Sequence, residues 1–167
     1  KMKVEVWKKE KTLSVILVVL LTLSLLASLG NEARASEGVP MLDGSYLTHE
    51  IEAIGYSTNV TRGVDLQAGY SKIRKLEPGV IYAGGTTLAE RIVESVRVLV
   101  TIERAKDADD NWQFVTSWQK ENKSADAVTA NQLLEVEGGW YYRVRSNHYA
   151  GNDMADSVTN GVFVEKP

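Results

Sequence analysis

From Gly69 onward the chain alternates apolar and polar residues in short runs separated by turn-forming residues, the period-two signature of half-buried strands. Tyr70–Leu76 reads as a first strand, ended by the proline–glycine turn Glu77-Pro78-Gly79. Val80–Leu88 reads as a second, and Gly84 and Gly85 inside it signal a bulge or a close approach to the backbone. Val96, Val98, Val100 and Ile102 then alternate with Arg97, Leu99, Thr101 and Glu103, which sets four β-branched residues on one face. After a turn at Lys106–Asn111, Trp112–Gln119 returns as a strand. Lys120–Asp126 is polar and irregular, and Val128–Val136 is a further strand. Gly138-Gly139 leads into Trp140–Tyr149, and beyond Gly151–Asp156 the segment Ser157–Glu165 closes the chain. Ala89–Glu94 is a weak helical candidate.

Seven short strands at regular spacing predict an all-β domain over 69–167, an antiparallel sandwich of immunoglobulin-like or fibronectin type III-like topology. A jelly roll is disfavoured because it needs eight strands. Residues 36–68 show no sustained period. They carry Glu37, Asp43, Glu50, Glu52 and Asp65 against Arg62, so they read as an acidic, partly ordered lead-in. Met41, Leu42, Tyr46, Leu47, Ile51 and Ile54 are placed to cover one edge of the domain.

The first 35 residues read differently. Lys1, Lys3, Lys8, Lys9 and Lys11 precede the apolar run Leu13–Leu29, which is followed by Ala33-Arg34-Ala35. A positive n-region, an apolar h-region and an A-x-A site predict a secretory signal peptide, with the exported protein starting at Ser36. The rival reading is a retained membrane anchor, for which a 17-residue run, diluted by Ser14, Thr22, Ser24 and Ser28, is marginal. The expected location is secreted or extracellular, with attachment to the cell surface as a variant.

Composition narrows the function. The 167 residues are 44% hydrophobic and 25% charged, which excludes a disordered chain and a multi-span membrane protein. With no cysteine there is no disulfide scaffold, thiolate nucleophile or zinc ribbon. The net charge of −3 argues against a nucleic-acid partner, which needs its phosphates neutralised. No cofactor is implied.

Few groups carry candidate chemistry. Ser146 and His148, with Asp153 or Asp156, superficially offer a catalytic triad, but residues so close in one strand and loop rarely converge correctly. His49 stands in the lead-in without sequence neighbours of that kind. Asp107, Asp109 and Asp110, with Asn111, are weak calcium candidates, as are Asn152, Asp153 and Asp156; the EF-hand spacing is missing from both. Asn59-Val-Thr61 and Asn122-Lys-Ser124 match glycosylation sequons. Trp112 and Trp118 share parity with Phe114 and oppose Val115, so their register is open and one or both belong to the core.

If Tyr142 and Val144 face the core, then Tyr141, Arg143, Arg145 and Tyr149 face outward along one strand. Tyrosine and arginine are enriched at binding hot spots, so this row is the candidate binding surface. The competing reading pairs Arg143 and Arg145 across the sheet with Glu103.

Trp140-Tyr141-Tyr142-Arg143-Val144-Arg145-Ser146-Asn147-His148-Tyr149-Ala150-Gly151 resembles the penultimate strand of fibronectin type III modules, with a loop one residue longer. More widely, Arg62-Gly63-Val64-Asp65-Leu66, Gly84-Gly85-Thr86-Thr87, Trp112-x-x-Val115-Thr116-Ser117-Trp118, Gly138–Arg145 and Thr159-Asn160-Gly161-Val162 resemble an uncharacterised family of small secreted proteins of Gram-positive bacteria, a domain of unknown function. The resemblance runs from about Gly38 to Val164 and brings no catalytic residues with it. The expectation is a secreted, non-enzymatic module that binds an extracellular protein or glycan. It touches a membrane only through an uncleaved leader. An extracellular hydrolase with an unrecognised site and a passive structural exported protein are the alternatives.

Overall fold

Strand-forming residues and glycine turns shape the described part of the chain, which in the computed structural model comprises residues 38–41, 43–57 and 63–167. The signal-peptide and anchor readings and the Asn59 sequon lie outside the described residues. Nine strands form: β1 (Val39–Pro40), β2 (Tyr46–Thr48), β3 (Glu52–Tyr56), β4 (Leu66–Glu77), β5 (Val80–Ala105), β6 (Gln113–Glu135), β7 (Trp140–Ala150), β8 (Asp153–Val158) and β9 (Gly161–Val164). Among the described residues there is no helix, and the all-β class is what the alternation predicts. Gly79 turns β4 into β5 with φ +75°, a left-handed conformation that costs glycine nothing sterically.

Two corrections concern length and connection. β5 is a single strand of 26 residues that absorbs the predicted second strand, the helical candidate Ala89–Glu94 and the valine-rich strand. Six residues are too few to repay helix nucleation, and the stretch joins two segments of β5 that are each paired on both sides, with the Glu90 N–H held by the Asp65 carbonyl. β6 likewise runs for 23 residues straight through the polar stretch Lys120–Asp126. Among the described residues it pairs only with β5, which makes it an edge of their sheet, where polar side chains are well tolerated.

The pairing register locates the bend. Leu88 opposes Ala127 while Val93 opposes Ala125, so the intervening stretch of β5 is a bulge. At the same place the other edge of β5 changes partner, from β4, whose pairing ends at Leu66↔Ala89, to β7, whose pairing begins at Val96↔Ala150. Bulges bend the strand that carries them. The β5–β6 ribbon therefore passes from one layer into another. Its first half lies beside β4 and β3, its second beside β7, which in turn pairs with β8 and β9. β4 packs face to face on β7 and β8. Instead of seven strands in two separate antiparallel sheets, one curled sheet of nine strands forms a half-barrel. It is mixed, because β2 runs parallel to β9.

Between the layers sits the core. Val96, Val98, Val100 and Ile102 are each 0% exposed, and they share one core cluster with Ile73, Ile81, Val144 and Val162. The lead-in is not loop: it supplies β1, β2, β3 and the start of β4. Met41 and Leu47 form a small second cluster with Ala105, against which Trp112 and Tyr141 pack. Tyr46, Ile51 and Ile54 remain exposed. Trp118 packs against the main core.

Candidate functional site

The predicted binding row does not survive as one surface. Tyr142 and Val144 face the core, as the alternation requires, but Arg143 on the opposite face is only 2% exposed. The segment Asp43–Ser45, held beside β9 through β2, folds down over it. The Arg143 Nε donates to Glu103 Oε2 at 2.6 Å, and Nη1 donates to the Asp43 carboxylate and to Ser45 Oγ at 3.3 Å. Its guanidinium also lies 4.1 Å above the Trp112 ring. Glu103 receives Arg145 as well, at 3.4 Å, so the cross-strand pairing that the register offers is the arrangement present. Burial alone raises the Asp43 carboxyl, but hydrogen bonds from Ser45 and Arg143 outweigh it and hold the group at about 2.

The rest of the row is partly occupied. Tyr141 packs on Phe163 and on His49, whose Nε2 lies 3.1 Å from the tyrosine hydroxyl, so His49 is not isolated. Tyr149 carries the Arg97 guanidinium 4.1 Å above its ring. Arg145 alone of the four is exposed.

The aspartate turns do not converge either. Asp107 accepts the Asp109 N–H, and Asp110 accepts those of Lys106 and Asn111, which is the work of a turn. Asp153 accepts the N–H groups of Asp65 and Leu66 at 2.7 and 3.0 Å. Among the described residues no group of three or more His, Asp or Glu side chains is placed to hold a metal ion. Asn122 spends its amide on the Ala127 carbonyl at 2.8 Å.

Ser146 and His148 do belong to one hydrogen-bonded array, though not to a triad. Thr87 Oγ1 donates to the Arg97 carbonyl at 3.1 Å and so receives the His148 Nδ1 proton at 2.9 Å; Nε2 then accepts from Ser157 Oγ at 2.7 Å. Ser71 links onward, 2.7 Å from both Ser157 Oγ and Ser146 Oγ. None of these five side chains is more than 3% exposed. Burial pushes the imidazole down to about 4 against the pull of Asp156, so the ring is neutral at pH 7. With a hydroxyl rather than a carboxylate at Nδ1 and every member buried, the array ties β4, β5, β7 and β8 together. The sequence did not reveal it, because Ser71, Thr87 and Ser157 come from three other strands.

An open site lies on the outer face of β4, β5 and β6. The register aligns Tyr70 with Thr86 and Thr129, Lys72 with Gly84 and Asn131, and Arg74 with Tyr82 and Leu133. Gly84 at the centre has no side chain, and there a recess of about 170 Å³ opens between Tyr70 and Tyr82. The Asn131 amide leans across it: a Cβ on Gly84 would stand 2.1 Å from Asn131 Oδ1. Thr86 and Thr129 share one hydrogen bond of 2.9 Å on its rim, and Lys72 pairs with Glu52 at 3.1 Å. Gly85 does the converse on the inner face, where a Cβ would meet Ser146 Oγ at 2.5 Å. Close approach on both faces, not a bulge, is thus what the glycine pair provides. Over the β3 edge a second recess of about 200 Å³ is lined by Tyr56, Arg145, Asp156, Ser157 and Val158.

Fold and site together define an all-β protein, a curled mixed sheet with a sealed polar array inside and an aromatic, amide-rimmed recess outside. No family model matches the chain, and no curated protein matches it. Among solved structures it is similar to Spo0M, a sporulation control protein from Bacillus subtilis, at 11% identity and a TM-score of 0.36, over 71% of this chain and 51% of that one. The chain spans about half the length of that protein.

Proposed function

We propose that the chain is an exported, non-catalytic binding module that takes its ligand on the outer face of β4, β5 and β6. The observation that carries this reading is the recess over Gly84, walled by Tyr70 and Tyr82 and rimmed by Asn131 and two threonine hydroxyls. A concave, largely aromatic surface with a few convergent polar groups is the usual make-up of a ligand site. A glycine inside a strand is the usual means of letting a ligand reach the backbone. Export rests on the lysine-rich start, the apolar run and Ala33-Arg34-Ala35. The absence of catalysis is supported by the full burial of His148 and by the threonine hydroxyl at its Nδ1, where a triad needs a carboxylate. A variant immunoglobulin-like or fibronectin type III-like plan, with β5 and β6 shared between layers, is supported by the packing of β4 on β7 and β8.

The test is retention of the full chain on cell-wall material and on cells. The parent is retained, and a Tyr82→Ala, Asn131→Ala double variant loses retention by about tenfold or more. Both residues are on the outer face, so the variant keeps its melting transition. A folded double variant that binds all that the parent binds overturns the assignment.

A further inference from the structure

Taking the recess over Gly84 as the binding face, we propose that its ligand is a linear, uncharged glycan lying across both recesses. The first recess, about 170 Å³, is close to the volume of one pyranose ring. Its floor is the backbone at Gly84 and Gly85, over which the Asn131 amide leans, and its walls are the Tyr70 and Tyr82 rings. Aromatic faces carry negative charge density and attract the weakly positive C–H face of a sugar. The rim matches sugar hydroxyls, which donate and accept at once. Thr86 and Thr129 share one hydrogen bond, which uses one of their two hydroxyl protons and leaves lone pairs on both oxygens. Asn131 adds an amide with both donor and acceptor.

Charge selects against an acidic ligand. Among the described residues Lys72 is the only ionic side chain lining the first recess, and Glu52 already holds it at 3.1 Å. In the second recess Arg145 and Asp156 bring opposite charges, and Arg145 is also turned toward Glu103. A carboxylate, phosphate or sulfate ligand would find no unpaired cation in either place, and burying it without one is costly.

Continuity argues for a chain of rings. Tyr56 stands at the β3 edge, 68% exposed, with its ring centroid 6.4 Å from that of Tyr70 on one side. On its other side it lines the second recess. Tyr82, Tyr70 and Tyr56 therefore join two ring-sized recesses into one strip.

Calorimetric titration of the full chain with cello-, chito- and malto-oligosaccharides, from disaccharide to hexasaccharide, tests this. Polygalacturonate and a proline-rich peptide serve as charged and non-glycan probes. At least one neutral series binds, its affinity rising by about tenfold or more with length. Tyr82→Ala weakens every member of that series, whereas Tyr56→Ala, at an exposed edge position, weakens only the longer ones. Melting curves confirm that both variants are folded. If no neutral oligosaccharide binds, or polygalacturonate or the peptide binds more tightly, the glycan assignment is overturned. Retention on cell-wall material that still depends on Tyr82 and Asn131 would leave the binding face standing in that case. Loss of such retention as well would remove both.

Discussion

Glu103 accepts a hydrogen bond from Arg143 and forms an ion pair with Arg145, but the two guanidinium groups sit in different surroundings, one 2% exposed and one open to solvent. Arg143→Ala leaves the half-buried Glu103 without its closest partner while Asp43 stays open to water, so it costs about 2–3 kcal/mol, whereas Arg145→Ala costs about 0.5 kcal/mol or less. Urea denaturation of the two variants checks this, and equal losses would show that solvent screens both sites alike. Asp43 adds a pH signature. Its folded pKa of about 2 lies below the ordinary value of 3.8, so its contribution is present above pH 4 and lost as the pH falls toward 2. Asp43→Asn removes that part of the acid destabilisation, measured as the difference in unfolding free energy across the window. The pattern of alternation could say that Arg143 points away from Tyr142. It could not say that a segment 100 residues earlier in the chain covers it, because that depends on β2 docking beside β9.

At the scale of elements, β5 decides the architecture. Val98 is fully buried between the layers, while Arg97 stacks on Tyr149 at the surface. Val98→Asp places an unpaired charge in the core and unfolds the protein; Arg97→Asp leaves it folded, at a cost of about 1 kcal/mol from the lost ring contact. Circular dichroism melts distinguish the two. The stretch Val96–Ile102 is hydrogen-bonded to β6 on one side and β7 on the other, whereas β6 has β5 as its only partner among the described residues. Amide exchange is therefore slowest in Val96–Ile102 and faster along Gln119–Lys123, and the reverse order would contradict the register. The valine alternation, the Pro78-Gly79 turn and the Gly138-Gly139 approach to β7 were all legible, since each is a local property of consecutive residues. The continuity of β5 and β6 was not. β6 runs on through Lys120–Asp126 because β5 offers it hydrogen bonds, and β5 crosses Ala89–Glu94 because its segments before and after are both paired; neighbours are a non-local fact.

For the whole molecule, the buried His148 couples folding to pH. Its folded pKa of about 4 lies below the unfolded 6.5, so between those values the unfolded chain binds the extra proton. Stability is full above about pH 6.5 and declines as the pH falls to 4, by up to about 3 kcal/mol from this group. NMR titration of the imidazole, with denaturation at matched pH, checks both statements; a ring that titrates near 6.5 in the folded protein would refute them. Period and turn chemistry alone determine that the chain is all-β, which face of each strand is apolar and where the tight turns fall, because these follow from side-chain direction over two or three residues. They also point to Gly84 and Gly85 as a place where something comes close. Only the tertiary structure decides that one glycine meets Ser146 inside and the other opens a recess outside, that Arg143 is sealed while Arg145 is exposed, and that Ser71, Thr87 and Ser157 converge on His148. Those facts depend on pairing register and layer packing, which bring together residues 60 to 90 positions apart, and no local pattern encodes such distances.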